Sequence, residues 1–226
     1  MPVATVLSLV KKCRCIIDKN SLYLGMKKII LNLFFLFALF LFPKGVAAAV
    51  SPLAVAILPP LQFPSDEFSI TGARLSFLWG HHRDLYGIDL GVLGNITDQE
   101  FTGLALSGAF NYTKGTTTIL GLQFAGLANI NNNKTSVYGL QMALGLNSNT
   151  ATSTVVGVQA ALLGNLSPFT DIYGVQLGLY NKAMSVYGLQ IGLVNFTSNL
   201  HGVQIGLVNF NSKGPFVVSP ILNVGF

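Results

Sequence analysis

Charge is scarce in this sequence. Only 9% of its 226 residues are charged and 51% are hydrophobic, where about a quarter of a soluble domain is usually charged. Cysteine is nearly absent. Cys13 and Cys15 are the two present, and both precede the long apolar run Ile29–Phe42. Past that run there is no thiol, which excludes disulfides, a thiolate zinc site and a lipidated cysteine at a cleavage point. Catalytic signatures are missing too. No serine has a histidine–acid context and no acidic pair stands out. Glycine, though frequent, alternates within extended segments instead of opening a helix as a phosphate-binding loop does. We therefore expect no enzyme, no catalytic residues, no bound cofactor and no metal centre.

The formal charge of +5 suggests an acidic partner until the chain is divided. Met26–Ala49 reads MKKIILNLFFLFALFLFPKGVAAA: a basic start at Lys27 and Lys28, an apolar run, and a small-residue cleavage site at Ala47–Ala49. That is the three-part secretory signal, and the run is shorter than the ~20 residues of a spanning helix. Residues 1–25 then read as an upstream extension ahead of the true start, 26–49 as a signal peptide, 50–67 as a Pro-rich, irregular or extended arm, and 68–226 as the folded repeat domain. Beyond the signal remain six cations (Arg74, Arg83, Lys114, Lys134, Lys182, Lys213) against seven anions (Asp66, Glu67, Asp84, Asp89, Asp98, Glu100, Asp171). The basic balance belongs to the leader, so nucleic-acid binding is excluded.

What the sequence has in abundance is one phrase. Val186–Asn209 reads VYGLQIGLVN, FTSN, LHGVQIGLVN, and worn copies run back to Leu85. The marker glycine falls at Gly87, Gly103, Gly121, Gly139, Gly157, Gly174, Gly188 and Gly202; the closing asparagine at Asn95, Asn111, Asn129, Asn147, Asn165, Asn181, Asn195 and Asn209. Two residues after the marker stands Gln123, Gln141, Gln159, Gln176, Gln190 or Gln204 in the last six copies, and Asp89 and Ala105 in the first two. Within a phrase the period is two, the strand period: Tyr187, Leu189, Ile191 and Leu193 share one face, while Gly188, Gln190 and Gly192 share the other. A helix is excluded, since each interior glycine would cost about 1 kcal/mol against alanine.

An opening strand at Phe68–Trp79, eight phrases and a terminal strand at Phe216–Phe226 make ten strands. Links as short as four residues favour antiparallel neighbours, because a parallel return needs about a dozen. The expectation is an all-β fold: an antiparallel up-and-down meander of about ten strands, closed as a transmembrane β-barrel with the leucine face on lipid. Gln123, Gln141, Gln159, Gln176, Gln190, Gln204, Arg74 and Asp89 would then face the lumen, with Arg74 and Asp89 paired. The alternative is a soluble β-solenoid or sandwich of repeats with the leucine face inside. Phrase spacings of 14 to 18 residues count against a solenoid, which favours a constant coil, and a 14-residue coil would require each phrase to break into two strands.

The phrase VYGLQIGLVN, the opening ITGARLSFLWGHHRDLYGIDLGVLGN and the ending SPILNVGF resemble the bacterial surface-repeat-containing proteins first catalogued in Leptospira. The match covers about Phe68–Phe226, with Asp89 and Ala105 departing from the glutamine position. The resemblance implies an exported, surface-associated β-protein and no activity. Phe226 also resembles the C-terminal signature that the outer-membrane assembly machinery reads.

These readings give an outer-membrane or cell-surface protein with a structural or surface-interaction role, or a narrow uncharged pore, whose partners are the lipid bilayer and the assembly machinery. The alternative is a soluble exported β-repeat protein that binds a partner through its Gly/Gln face. Among smaller features, His81–Asp84 is the most polar loop and a weak metal candidate. Tyr86, Tyr138, Tyr173 and Tyr187 open their phrases where a membrane-interface girdle would lie, and His201 replaces the tyrosine in the last copy.

Overall fold

A computed structural model describes residues 49–226. The upstream extension, the signal peptide up to Ala48 and both cysteines lie outside the described residues. In the rest, each phrase breaks in two. The chain extends through Val186–Ile191, turns a corner at Gly192–Leu193, and extends again from Val194. The first segment belongs to one wall and the second to another, so a phrase plus its spacer makes one coil.

The first wall is built from β3 (Ser69–Ser76), β5 (Asp84–Gly91), β7 (Glu100–Ser107), β9 (Thr116–Ala125), β11 (Thr135–Ala143) and β13 (Ser153–Ala161). The second is built from β4 (Trp79–His82), β6 (Gly94–Thr97), β8 (Phe110–Thr113), β10 (Ala128–Asn131) and β12 (Leu146–Asn149). Each strand pairs in parallel with the equivalent strand of the next coil. The last three coils run without interruption through both walls as β14 (Gly164–Leu177), β15 (Tyr180–Ile191) and β16 (Val194–Asn211). Their spacers, such as KAMS and FTSN, leave no residues for a separate turn. The result is an all-β solenoid of stacked coils, at ~4.8 Å per coil.

This corrects the expected antiparallel barrel. Equivalent residues stack on each other: Gly139 on Gly157, Gln141 on Gln159, Asn147 on Asn165. Only a parallel register superposes like on like along a repeated sequence; an antiparallel meander would set the start of one phrase against the end of the next. The dozen-residue return that parallel strands need is supplied by the second wall. The variable spacing is absorbed in two places. Gly121 to Asn129 is eight residues and Gly188 to Asn195 seven, a one-residue difference at the corner. Asn129 to Gly139 is ten and Asn181 to Gly188 seven, the rest of the difference lying in the opposite turn.

The ends depart from the pattern. Residues 50–67, expected as an irregular or extended arm, supply β1 (Val50–Leu58), parallel to β3, and β2 (Leu61–Phe63), which doubles back on β1. The terminal strand β17 (Val218–Gly225) lies antiparallel to β16. Within the stretch His81–Asp84, expected as a loop, His81 and His82 lie in β4 and Asp84 opens β5.

The architecture is the solenoid given as the alternative, but with its faces reversed. Gln190 is fully buried while Ile191 and Leu193 are exposed. The interior holds one large aliphatic or aromatic row, including Ile70, Phe101, Val137, Ile172 and Leu200. Around it run two amide rows and rows of serine, threonine and alanine.

The marker glycines make the stacking possible. All eight have φ between 99° and 149°, a region L-residues rarely occupy. At Gly157 a Cβ would also run into the carbonyl of Gly139, whereas at Gly121 it would meet nothing. We expect Gly157→Ala to cost about 2–3 kcal/mol, strain plus a backbone clash, and Gly121→Ala distinctly less. Denaturation midpoints followed by the far-ultraviolet strand signal check the order, and equal midpoints would contradict the stacking.

Candidate functional site

The six glutamines form a continuous ladder in the interior. Nε2 of Gln141 donates to Oε1 of Gln123 at 2.8 Å, and Gln159, Gln176, Gln190 and Gln204 each donate to the glutamine one coil before at 2.6–2.7 Å. The asparagines form a second ladder that runs the other way. Asn95 donates to Asn111 at 3.0 Å, and the series continues through Asn129, Asn147, Asn165, Asn181 and Asn195 to Asn209. Each asparagine from 95 to 195 also gives a hydrogen to a corner carbonyl of the following coil, as Asn129 does to Met142 O at 2.7 Å. This explains why the phrase closes on asparagine: the side chain holds the corner backbone, a role that turn propensity alone did not reveal.

The two walls touch across the interior. Asn149 Nδ2 reaches Gln141 Oε1 at 3.1 Å and Gln159 Nε2 reaches Ser167 Oγ at 3.0 Å. The residues expected to line a lumen are thus packed against each other, and among the described residues there is no channel between the walls. Nor is the Gly/Gln face available to a partner, since Gln141, Gln159, Gln176, Gln190 and Gln204 have no exposed surface.

At the N-terminal end the glutamine position is taken by other residues. Arg74 stacks on Asp89, and Asp89 on Ala105. The guanidinium forms two bonds to the Asp89 carboxylate, Nε–Oδ1 at 2.8 Å and Nη2–Oδ2 at 2.6 Å, and a third to Ile96 O at 2.8 Å. The pair meets by in-register parallel stacking, not across a hairpin centred on His81–His82. His82 lies beside it, with Nδ1 3.4 Å from Arg74 Nη1 and Nε2 3.3 Å from Pro64 O. Burial, reinforced by the Arg74 charge, lowers the His82 pKa to about 4.

His81 points the opposite way, outward, and contacts Asp98 at 2.7 Å. Lys114 Nζ reaches the same carboxylate at 2.6 Å. Burial alone would raise the Asp98 pKa, but the hydrogen bond from Lys114 and the charge and hydrogen bond of His81 outweigh it and hold the group below its ordinary value. Because His81 and His82 project to opposite faces, the pair does not converge. Among the described residues no three His, Cys, Asp or Glu side chains are placed to hold a metal ion.

Outside, the equivalent residues form apolar rows. Leu90, Leu106, Phe124, Met142, Ala160, Leu177 and Ile191 follow one another along the first wall, and Val92, Leu144, Leu162, Leu179, Leu193 and Leu207 mark the corner edge. Tyr173 stacks on Tyr187 with centroids 4.7 Å apart, and Tyr187 on His201 at 4.5 Å. Phe196 and Phe210 stack on the second wall at 4.1 Å. Against known proteins, the chain matches no family model, no curated protein and no solved structure.

Two measurements probe the interior. Gln159→Leu removes three hydrogen bonds and strands the Gln176 amide, so we expect a loss of about 3 kcal/mol or more. Gln204→Leu, at the ladder end, where its Oε1 already lacks a partner, should cost roughly half as much on the same principle. Denaturation midpoints check the ratio. The second concerns pH. The unfolded chain protonates His82 near the ordinary imidazole value of 6.5, the folded chain only near 4. The His82 contribution is therefore intact above pH 6.5 and falls as pH drops towards 4, by about 3 kcal/mol in all. His82→Gln should flatten the midpoint between pH 7.5 and 4.5; an unchanged slope would place the pH sensitivity elsewhere.

Proposed function

We propose that this chain is an exported, non-catalytic β-repeat protein of the bacterial envelope, a rigid rod whose role is surface interaction, and that its working surface is the apolar exterior. The observation that carries this reading is the reversal of the faces. Leu127, Leu144, Leu162 and Leu207 are each 60–66% exposed, and they belong to rows that continue from coil to coil. Contiguous apolar surface beyond a few hundred Å² marks an interaction site in a folded protein. The secretory pattern of Met26–Ala49 and the resemblance to surface-repeat proteins support the envelope location.

A pore no longer fits, since the amides fill the space between the walls, and a partner bound to the Gly/Gln face has nothing exposed to bind. The polar edge offers acids, lysines and one outward histidine, and part of this set is engaged within the chain. Tyr86 Oη donates to Glu100 at 2.7 Å, and Asp98 is shared by His81 and Lys114.

The reading predicts that the protein binds an environment-sensitive apolar dye while fully folded and needs detergent to remain dispersed. The double substitution Leu144→Glu/Leu162→Glu, at exposed positions, should leave the strand signal intact and reduce both dye binding and detergent dependence. A wild-type protein that stays dispersed in plain buffer without binding the dye would refute the proposal.

A further inference from the structure

The exterior is not uniformly apolar, and its gradient has a direction. In all eight stretches from marker glycine to closing asparagine the only charged residue is Asp89, and it is buried against Arg74. Charges gather instead around the opposite turns, as with Asp98, Glu100, Lys114 and Lys134. Between the two zones lies the tyrosine row: Tyr86, Tyr138, Tyr173 and Tyr187 each directly precede a marker glycine. The coil therefore passes from charged turn, through tyrosine, to an aliphatic crest.

We infer that this crest is a membrane-insertion edge, with Leu144, Leu162, Leu179 and Leu193 entering the acyl region of one bilayer leaflet, the tyrosines at the headgroup level and the charged turns in water. The inference rests on the reading that the apolar exterior is the interaction surface, and it names the partner. Tyrosine is the residue of membrane–water interfaces, with an apolar body and a polar tip. Tyr187 to Leu193 is six residues, at most ~20 Å of extended strand. That matches one leaflet of a hydrocarbon core ~30 Å thick and is too short to cross both. The open strand edges of β2 and β17 also favour a shallow position, because unpaired backbone groups are costly in lipid. A fluid partner fits the shape better than a rigid one. The crest is apolar on both flanks, with Ile191 on one wall and Leu146 and Val194 on the other. A second folded chain would cover one flank, whereas lipid covers both.

The sequence contains one tryptophan, and its place makes it a reporter. Trp79 opens β4, directly after the crest residues Phe77 and Leu78. The full chain is mixed with phosphatidylcholine vesicles, with and without bromine on the acyl chains. We expect Trp79 emission to shift to shorter wavelength with lipid and to be quenched by the brominated chains. Leu144→Glu/Leu162→Glu should weaken partitioning about tenfold or more, because charge at hydrocarbon depth is strongly disfavoured, and Lys134→Glu should not. Attachment through Ile29–Phe42 alone would leave the double variant bound like wild type, and overturns the inference. So does Trp79 emission that ignores lipid. If that emission instead shifts with protein concentration, the crest is covered by a second copy: the lipid inference falls while the apolar-surface reading stands. If neither lipid, concentration nor the double substitution matters, both fall.

Discussion

From Asn95 onward the coils of this solenoid depend on one constraint: a buried primary amide must be hydrogen-bonded, and here its acceptor is the same amide one coil away. An unsatisfied buried amide costs about 1–3 kcal/mol, so a coil that slipped by one residue would forfeit its ladder bonds in both rows at once. The parallel register follows from this. Among the described residues thirty-four polar or charged side chains are buried against sixteen hydrophobic ones, seven of which are alanine. Apolar burial within the chain is thus too sparse to select the register by itself. The hydrogen-bond pattern selects it, with the single aliphatic row supplying the dry contact between coils.

The two ladders are antiparallel to each other. Glutamine side chains donate towards the N-terminal end and asparagine side chains towards the C-terminal end. Chains of aligned amides polarise one another, and opposed ladders offset each other's dipoles along the axis. Each ladder finishes with an open acceptor, Gln204 Oε1 at one end and Asn95 Oδ1 at the other. The glutamine row cannot extend indefinitely towards the N-terminus either. Beyond Gln123 come Ala105, which leaves space, and then Asp89, which needs a cation and finds Arg74. The bidentate geometry satisfies both groups at a depth where either alone would be strongly destabilising. The ion pair acts as a terminator of the amide stack.

Much of this was legible in the sequence, and the part that was not has a physical cause. The period of two, the glycine, glutamine and asparagine markers and the contact of Arg74 with Asp89 can all be read from the residues. Parallel and antiparallel sheets share that period, so the direction of pairing cannot. A four-residue spacer such as KAMS suggests a hairpin only if VYGLQIGLVN is one strand. It is not, because Gly192–Leu193 turns the corner and the following Val194–Asn195 belongs to the other wall. The signal lay in the closing asparagine. A turn residue needs no strict recurrence, whereas Asn95 to Asn209 recur in every copy because each must meet its predecessor in space.

The same logic accounts for the outward leucines. A strand has two faces, and the interior of a narrow two-walled coil has room for rows that satisfy each other, not for branched side chains on every row. Once the amides occupy the inside, alternation forces Leu189, Ile191 and Leu193 outward. In water that arrangement is unfavourable, at about 25 cal/mol for each Å² of apolar surface left exposed. A sequence that repeats it through eight phrases, while keeping charge out of every one except for the buried Asp89, supports the apolar partner we propose. A polar interior under an apolar outer band is also the arrangement of transmembrane β-barrels, whose outer band meets lipid. On the proposed reading, the charged turns and the tyrosine row would confine that partner to one edge.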